Sequence, residues 1–188
     1  AIVPTFAVPS ALGGHGWLLA GTGAGRVPDV WGTLYALHLG LLDDEPEARH
    51  RALRTVTAAA REPGEIAVRA AVRHVPASFA DPAGHAWDHP RPHPDLFRPG
   101  RYQNGAYWHV ATGWLLHALL LAGEAEAAIA TLTDFLTFHR ELDFRPTGEG
   151  APYEWITADD TERAGSVYLA SLAVPYAVLR DVLEGTGT

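Results

Sequence analysis

The sequence predicts an all-α protein built as two shells of helices, about half of an α/α toroid, with one short extended segment. Two observations predict it. Helices apolar on nearly every face alternate along the chain with amphipathic ones, and clusters of Pro and Gly stand between them. An inner ring of helices covered by an outer ring gives that alternation, and the loops at one end of the inner ring form a cup.

Residues 30–42 open the pattern with Trp31, Leu34, Tyr35, Leu37, Leu39, Leu41 and Leu42, an apolar set that a helix must bury. Asp44-Glu45-Pro46-Glu47 then has capping-box spacing and an acidic first turn favoured by the helix dipole. The helix it opens carries Ala48, Ala52, Leu53, Val56, Ala59 and Ala60 on one stripe. Arg49, Arg51, Arg54 and Arg61 lie mainly elsewhere, so this helix belongs at a surface. Pro63-Gly64 ends it, and Ile66, Val68, Ala70 and Val72 alternate with Ala67, Arg69, Ala71 and Arg73 as one extended segment. Residues 76–100 are crowded with Pro, Gly, His and Asp, which predicts a long loop of the kind that often carries function.

The pattern repeats over residues 105–121, where Trp108, Val110, Trp114, Leu115, Leu116, Leu119 and Leu120 predict a second inner helix, with Gly123 at its C-terminus. Residues 125–139 are amphipathic through Ala125, Ala128, Ile129, Leu132, Phe135 and Leu136. A turn over 146–152 leads to a last inner helix over about 164–183, which Pro175 should kink. Three inner helices do not close a ring, and the chain begins with Ala1 and contains no Met. Residues 1–188 are therefore expected to be a single partial toroid domain, roughly the C-terminal half of a longer enzyme or domain.

Composition narrows the function classes. The chain is 47% hydrophobic and 19% charged, with a mean hydropathy of −0.02, which describes a soluble globular protein. Its 14 basic residues, all arginine, stand against 22 acidic ones, a net charge of −8 that argues against a phosphate-tracking nucleic-acid binder. No run reaches the ~18 apolar residues of a membrane span, and no secretory leader is visible. Without Cys there are no disulfides, thiolate metal sites or cysteine nucleophiles, and the compartment stays open.

Three motifs fall at the same end of the predicted inner helices. Arg101-Tyr102-Gln103-Asn104-Gly105-Ala106-Tyr107-Trp108 sets rings beside amide side chains. That mixture suits a sugar, since rings cover its C–H face while Gln and Asn donate to and accept from hydroxyls. In Gly150-Ala151-Pro152-Tyr153-Glu154-Trp155, Glu154 stands between two aromatics, where a carboxylate can act as general base on water. Glu141, Asp143 and Glu149 lack aromatics on both sides. Arg26-Val27-Pro28-Asp29-Val30-Trp31 supplies Asp29 for a hydroxyl pair and Trp31 for stacking, although an N-cap followed by a core Trp reads equally well.

In this order the three motifs resemble the C-terminal half of the six-hairpin (α/α)₆ glycosidases, especially the neutral/alkaline invertase-like and amylo-α-1,6-glucosidase-like groups. The resemblance runs from about Gly25 to Leu183 and rests most on Tyr102-Gln103-Asn104-Gly105-Ala106-Tyr107-Trp108. It implies an inverting glycoside hydrolase acting on an α-linked di- or oligosaccharide. Glu154 would be the catalytic base, and Asp29, Trp31, Tyr102, Gln103, Asn104, Trp108 and Trp155 would bind the sugar. The general acid would come from the N-terminal half of the toroid, in the same or another chain, and no residue here matches its motif. Ala106 replaces a usual Gly, and Tyr153 separates Pro152 from Glu154. Neither a metal nor an organic cofactor is required, and neither nucleic acid nor a membrane is an expected partner.

Rival readings share the scaffold. A toroidal sugar epimerase or polysaccharide lyase would use His109 or His117 for proton transfer, and a non-catalytic half would only bind carbohydrate. His85, His89 and His93 recur every four residues with Asp81 and Asp88 between them, but Pro82, Pro90, Pro92 and Pro94 forbid a helix. A solvated loop is expected there rather than a metal site.

Overall fold

A computed structural model describes residues 3–6, 16–21, 27–79, 98–142 and 152–185. The all-α toroid is not what these residues form. They build a mixed α/β structure, 53% helical and 12% strand, in which six α-helices accompany a two-stranded and a five-stranded antiparallel sheet. In chain order the elements are α1 (Val3–Phe6), β1 (Leu18–Leu19), β2 (Pro28–Asp29), α2 (Val30–His38), α3 (Pro46–Arg61), β3 (Ala67–Val68), β4 (Ala71–Arg73), β5 (Tyr107–Trp108), α4 (Thr112–Leu121), α5 (Ala125–Glu141), β6 (Trp155–Ile156), β7 (Arg163–Ala164) and α6 (Ala170–Leu183).

Helix α4 is the hub. It is apolar all round and packs against α2, α3, α5 and α6. Leu115, Leu116, Ala118 and Leu119 meet Leu34, Leu37, Leu53 and Val56 in the main core. α4 and α6 come together closely at Gly113, where an added Cβ would stand 2.8 Å from Val178 Cβ and 2.9 Å from Pro175 Cα. α6 runs unbroken from Ala170 to Leu183 with Pro175 inside it. α3 begins at Pro46, whose missing N–H costs nothing in a first turn, and its N-cap Glu45 makes no side-chain cap bond, so the expected capping box is not formed.

The sheet, in the order β3-β4-β5-β6-β7, stands at the N-terminal ends of α2 and α4. Val30 N–H donates to His74 C=O just beyond β4, and a 3-10 turn over His109–Ala111 carries β5 directly into α4. Tyr107 pairs with Ile156, and both join Ala71, Phe138 and Leu142 in one core cluster. Trp108 and Trp155, one residue away on β5 and β6, join Ala106 and Val110 in another. The period of two thus separates a face turned to α5 from a face carrying tryptophans.

Three sequence expectations fail here. Residues 105–121 are not one helix, because a short apolar run reads the same as a buried strand or a buried helix, and the chain pleats at Tyr107–Trp108 before it coils at Thr112. The single extended segment over 66–73 is a hairpin. Arg69 (φ 50°) and Ala70 (φ 63°) make its two-residue turn in the left-handed region, without the Gly or Asn that announces such a turn. Likewise Arg163 and Ala164 form a strand, and the last helix starts only at Ala170.

Candidate functional site

The ends of the sheet bring the three motifs together around Trp108. Its ring lies 5.2 Å from Tyr102, 5.7 Å edge-on from Trp31 and 6.3 Å edge-on from Tyr168, centroid to centroid. Trp108 and Trp155 are 4% and 3% exposed, so they form the floor, while Trp31, Tyr102 and Tyr168 are half-buried around it. Trp31 is anchored by its indole N–H, which donates to Val72 C=O at 3.1 Å. Among the described residues, nothing hydrogen-bonds the buried Trp108 Nε1.

Tyr102, Gln103 and Asn104 sit in a turn closed by the pairing of Arg101 with Asn104, and all three are half-buried. Tyr102 adopts φ 43°, a left-handed conformation unusual for a bulky residue and associated with functional loops. Gly105 follows at φ 112°, where a Cβ would stand 3.0 Å from Arg73 Nη2. Arg101 is itself tied to Glu162 at 2.7 Å, which fastens this turn to the β6–β7 loop.

Glu154 is placed by the other side of that hairpin. Its N–H donates to Ala164 C=O at 2.9 Å, Tyr168 N–H donates to Pro152 C=O, and the Ser171 hydroxyl donates to Tyr153 C=O. Gly165, at φ 71°, lies directly under the side chain: any Cβ there would collide with Glu154 Cβ and stand 2.6 Å from Glu154 Oε2. Among the described residues Glu154 is the one half-buried carboxylate with neither a hydrogen bond nor an ion pair. The half-buried Asp29, Glu65, Glu124, Asp160, Glu162 and Asp181 are all engaged. Burial pushes the Glu154 pKa up. Burial also pushes up the Tyr102 phenol, and the nearby charges of Glu154 and Tyr168 add to it, so Tyr102 and Glu154 share one neighbourhood.

Asp29 is turned toward its own helix. It is the N-cap of α2, and its Oδ1 accepts from Gly32 N–H at 2.9 Å. Burial raises its pKa against the lowering effect of the helix-terminal N–H groups. Glu141 is exposed and paired with Arg69. Asp143, Glu149, Asp81, Asp88, His85, His89 and His93 lie outside the described residues. His109 is 1% exposed with Nε2 on Arg69 C=O, and burial takes its pKa down to about 3. His117, on α4, is half-buried and its Nδ1 lies 2.9 Å from Nδ1 of His38 on α2.

Two residues that sequence reasoning passed over belong to this surface. His74 stacks on Trp31 with centroids 3.7 Å apart and stands edge-on to Trp108 at 5.7 Å; burial lowers its pKa to about 4 and keeps it neutral. Its only signal was its place at the end of an alternating segment. Tyr168 falls within the range predicted as the last inner helix. Among the described residues, no group of three or more His, Asp or Glu is arranged to hold a metal ion, and no helix is long and apolar enough to cross a membrane. No family model, no curated protein and no solved structure matches this chain.

Proposed function

We propose that this chain is a carbohydrate-active protein that hydrolyses a glycosidic bond in an α-linked di- or oligosaccharide with inversion, Glu154 serving as general base. The observation that carries the proposal is the unpaired, half-buried Glu154 carboxylate beside Tyr102 on a floor of tryptophans. A carboxylate whose only role is structural is normally satisfied by an arginine or a backbone N–H, as the other half-buried carboxylates here are. The rise that burial gives its pKa makes the carboxylate a stronger base. The similarity of the three motifs to those of six-hairpin glycosidases supports the same reading; a closed helical ring is no part of it.

In the reaction Trp31 and Tyr102 lie against the C–H face of the sugar, with Trp108 and Trp155 beneath them, and Gln103 and Asn104 bond its hydroxyls. Asp29 binds through whatever capacity its carboxylate retains beyond the cap. Glu154 accepts a proton from a water molecule, whose oxygen attacks the anomeric carbon as the glycosidic C–O bond breaks. Inversion requires a general acid about 6.5–9.5 Å from the base. The proposal assigns that acid to a partner segment, in the same or another chain.

The test is Glu154→Gln, which keeps size and removes the base. Hydrolysis of a matched α-linked oligosaccharide should fall by about 10²–10⁴ with substrate affinity largely kept. Unchanged turnover in that variant would overturn the assignment.

A further inference from the structure

Arg73, 7% exposed, is the one buried arginine among the described residues, and no carboxylate reaches it. Arg49, Arg61, Arg69, Arg101, Arg163 and Arg180 are all more exposed, and each holds an Asp or Glu. Desolvation makes the opposite demand, because a cation taken out of water needs a counter-charge more than an exposed one does. On β4, Arg73 pairs with Tyr107 of β5, and its Nη1 donates to the Tyr107 hydroxyl at 3.3 Å. That hydroxyl gives its own proton to Gly64 C=O, so it meets the guanidinium as a neutral acceptor. The Tyr107 ring adds a cation–π contact, with Cζ 5.3 Å from its centroid, and again no full negative charge.

The unanswered donors lie on one edge of the guanidinium. Nε is enclosed and has no partner; Nη2 makes no hydrogen bond either and keeps contact with solvent. Nε–H and one Nη2–H point the same way, and together they form the fork that grips both oxygens of a carboxylate. Arg163 uses this same edge on Asp160, with Nε 2.7 Å from Oδ1 and Nη2 2.6 Å from Oδ2. On Arg73 the edge is bordered by two glycines. A Cβ added to Gly105 would stand 3.0 Å from Nη2 and 3.4 Å from Gly100 Cα, and no described atom comes within 4 Å of a Cβ built on Gly100. Both glycines have positive φ, 85° at Gly100 and 112° at Gly105, which other residues adopt at a cost. The backbone therefore keeps side chains out of the approach to Nη2.

We propose that the Nε–Nη2 edge of Arg73 is a binding site for a carboxylate ligand, walled by Gly100 and Gly105. The ligand enters at Nη2 and sets one oxygen there and the other on Nε, supplying both missing acceptors and the missing negative charge. A neutral hydroxyl would satisfy one donor and leave the charge unanswered. Two sources carry this chemistry, a small free carboxylate and the acid group of a uronic sugar. The site uses neither Glu154 nor the tryptophan floor, so it does not rest on the hydrolase reading: absent turnover leaves it standing, and a failed carboxylate titration leaves the hydrolase reading standing.

The experiment is an NMR titration of the full chain, in buffer free of carboxylates, with sodium acetate and sodium glucuronate against glucose and sodium chloride at matched ionic strength. The readouts are the Arg73 Nε–H resonance and the backbone amides of Gly100 and Gly105. Acetate or glucuronate should move all three along one saturating curve with a Kd of about 0.1–10 mM, and glucose should move none. Arg73→Lys keeps the charge and loses the fork, so the shifts of the two glycine amides should report binding weakened by about tenfold or more. Glucuronate bound about tenfold more tightly than acetate identifies a uronic sugar as the source, whereas equal affinities identify a small free carboxylate; both uphold the site. Resonances that stay in place up to about 0.1 M of either carboxylate overturn it. Equal affinities in wild type and Arg73→Lys overturn it as well, and if that variant does not fold the wild-type titration decides alone.

Discussion

Gly165 matters to the candidate base more directly than any polar neighbour does. Its missing Cβ leaves the space that Glu154 occupies, and its φ of 71° is one that other residues adopt at a cost. Gly165→Ala should therefore cost activity out of proportion to stability. We expect at least a tenfold fall in kcat, with a denaturation midpoint reduced by no more than the equivalent of about 1–2 kcal/mol. Equal turnover in variant and wild type would show that the Glu154 carboxyl position is unimportant. Asp29 illustrates a different point. The sequence left its two roles in balance, and the coordinates show the cap in place, with Oδ1 engaged by Gly32.

Helices α4 and α6 meet where side chains are smallest. With Val178 Cβ and Pro175 Cα both within 3 Å of a Cβ at position 113, an alanine there must push the helices apart. Gly113→Ala should destabilise the protein by about 1–3 kcal/mol even though alanine favours a helix. Chemical denaturation measures this, and a stabilised variant would mean that α6 can shift freely against α4. The same comparison of local preference with packing explains what could be read from the chain. Helices α3 and α5 carry one clear apolar stripe each, and the helices found, Pro46–Arg61 and Ala125–Glu141, sit where that stripe placed them. Strands β1, β2, β5, β6 and β7 were hidden because they are two residues long, too short to show a period. The β3–β4 turn was hidden because Arg69 and Ala70 hold positive φ without the usual residues. Of the candidate site, Tyr102, Trp108 and Glu154 were legible as rings and a carboxylate in short motifs. His74 and Tyr168 were not, since only the paired strands bring them to that surface.

Several histidines are held neutral by burial, and this couples folding to pH. The pKa of His74 falls to about 4 and that of His109 to about 3, and those of His38, His117 and His139 are also lowered. The unfolded chain therefore binds more protons than the native one once pH drops below about 6.5. The stability these groups confer is complete above that value and is lost progressively as pH falls, down to about 4 for His74 and about 3 for His109. Asp29 and Glu154, raised by burial, act in the opposite sense. The five histidines outnumber these two carboxylates, so the urea midpoint should decline steadily from pH 7 to pH 5. His109→Phe should flatten that decline, and a midpoint that rises on acidification would contradict the assignment.

The proposed substrate surface has no local origin. Trp31 begins a helix, Trp108 ends a strand, and Glu154 precedes a hairpin, and these meet only because β4, β5 and β6 lie side by side. No excised peptide would retain the arrangement, and partial opening at β5 would scatter rings and carboxylate together. Recognition and folding would then vanish at one denaturant concentration, as a single cooperative event.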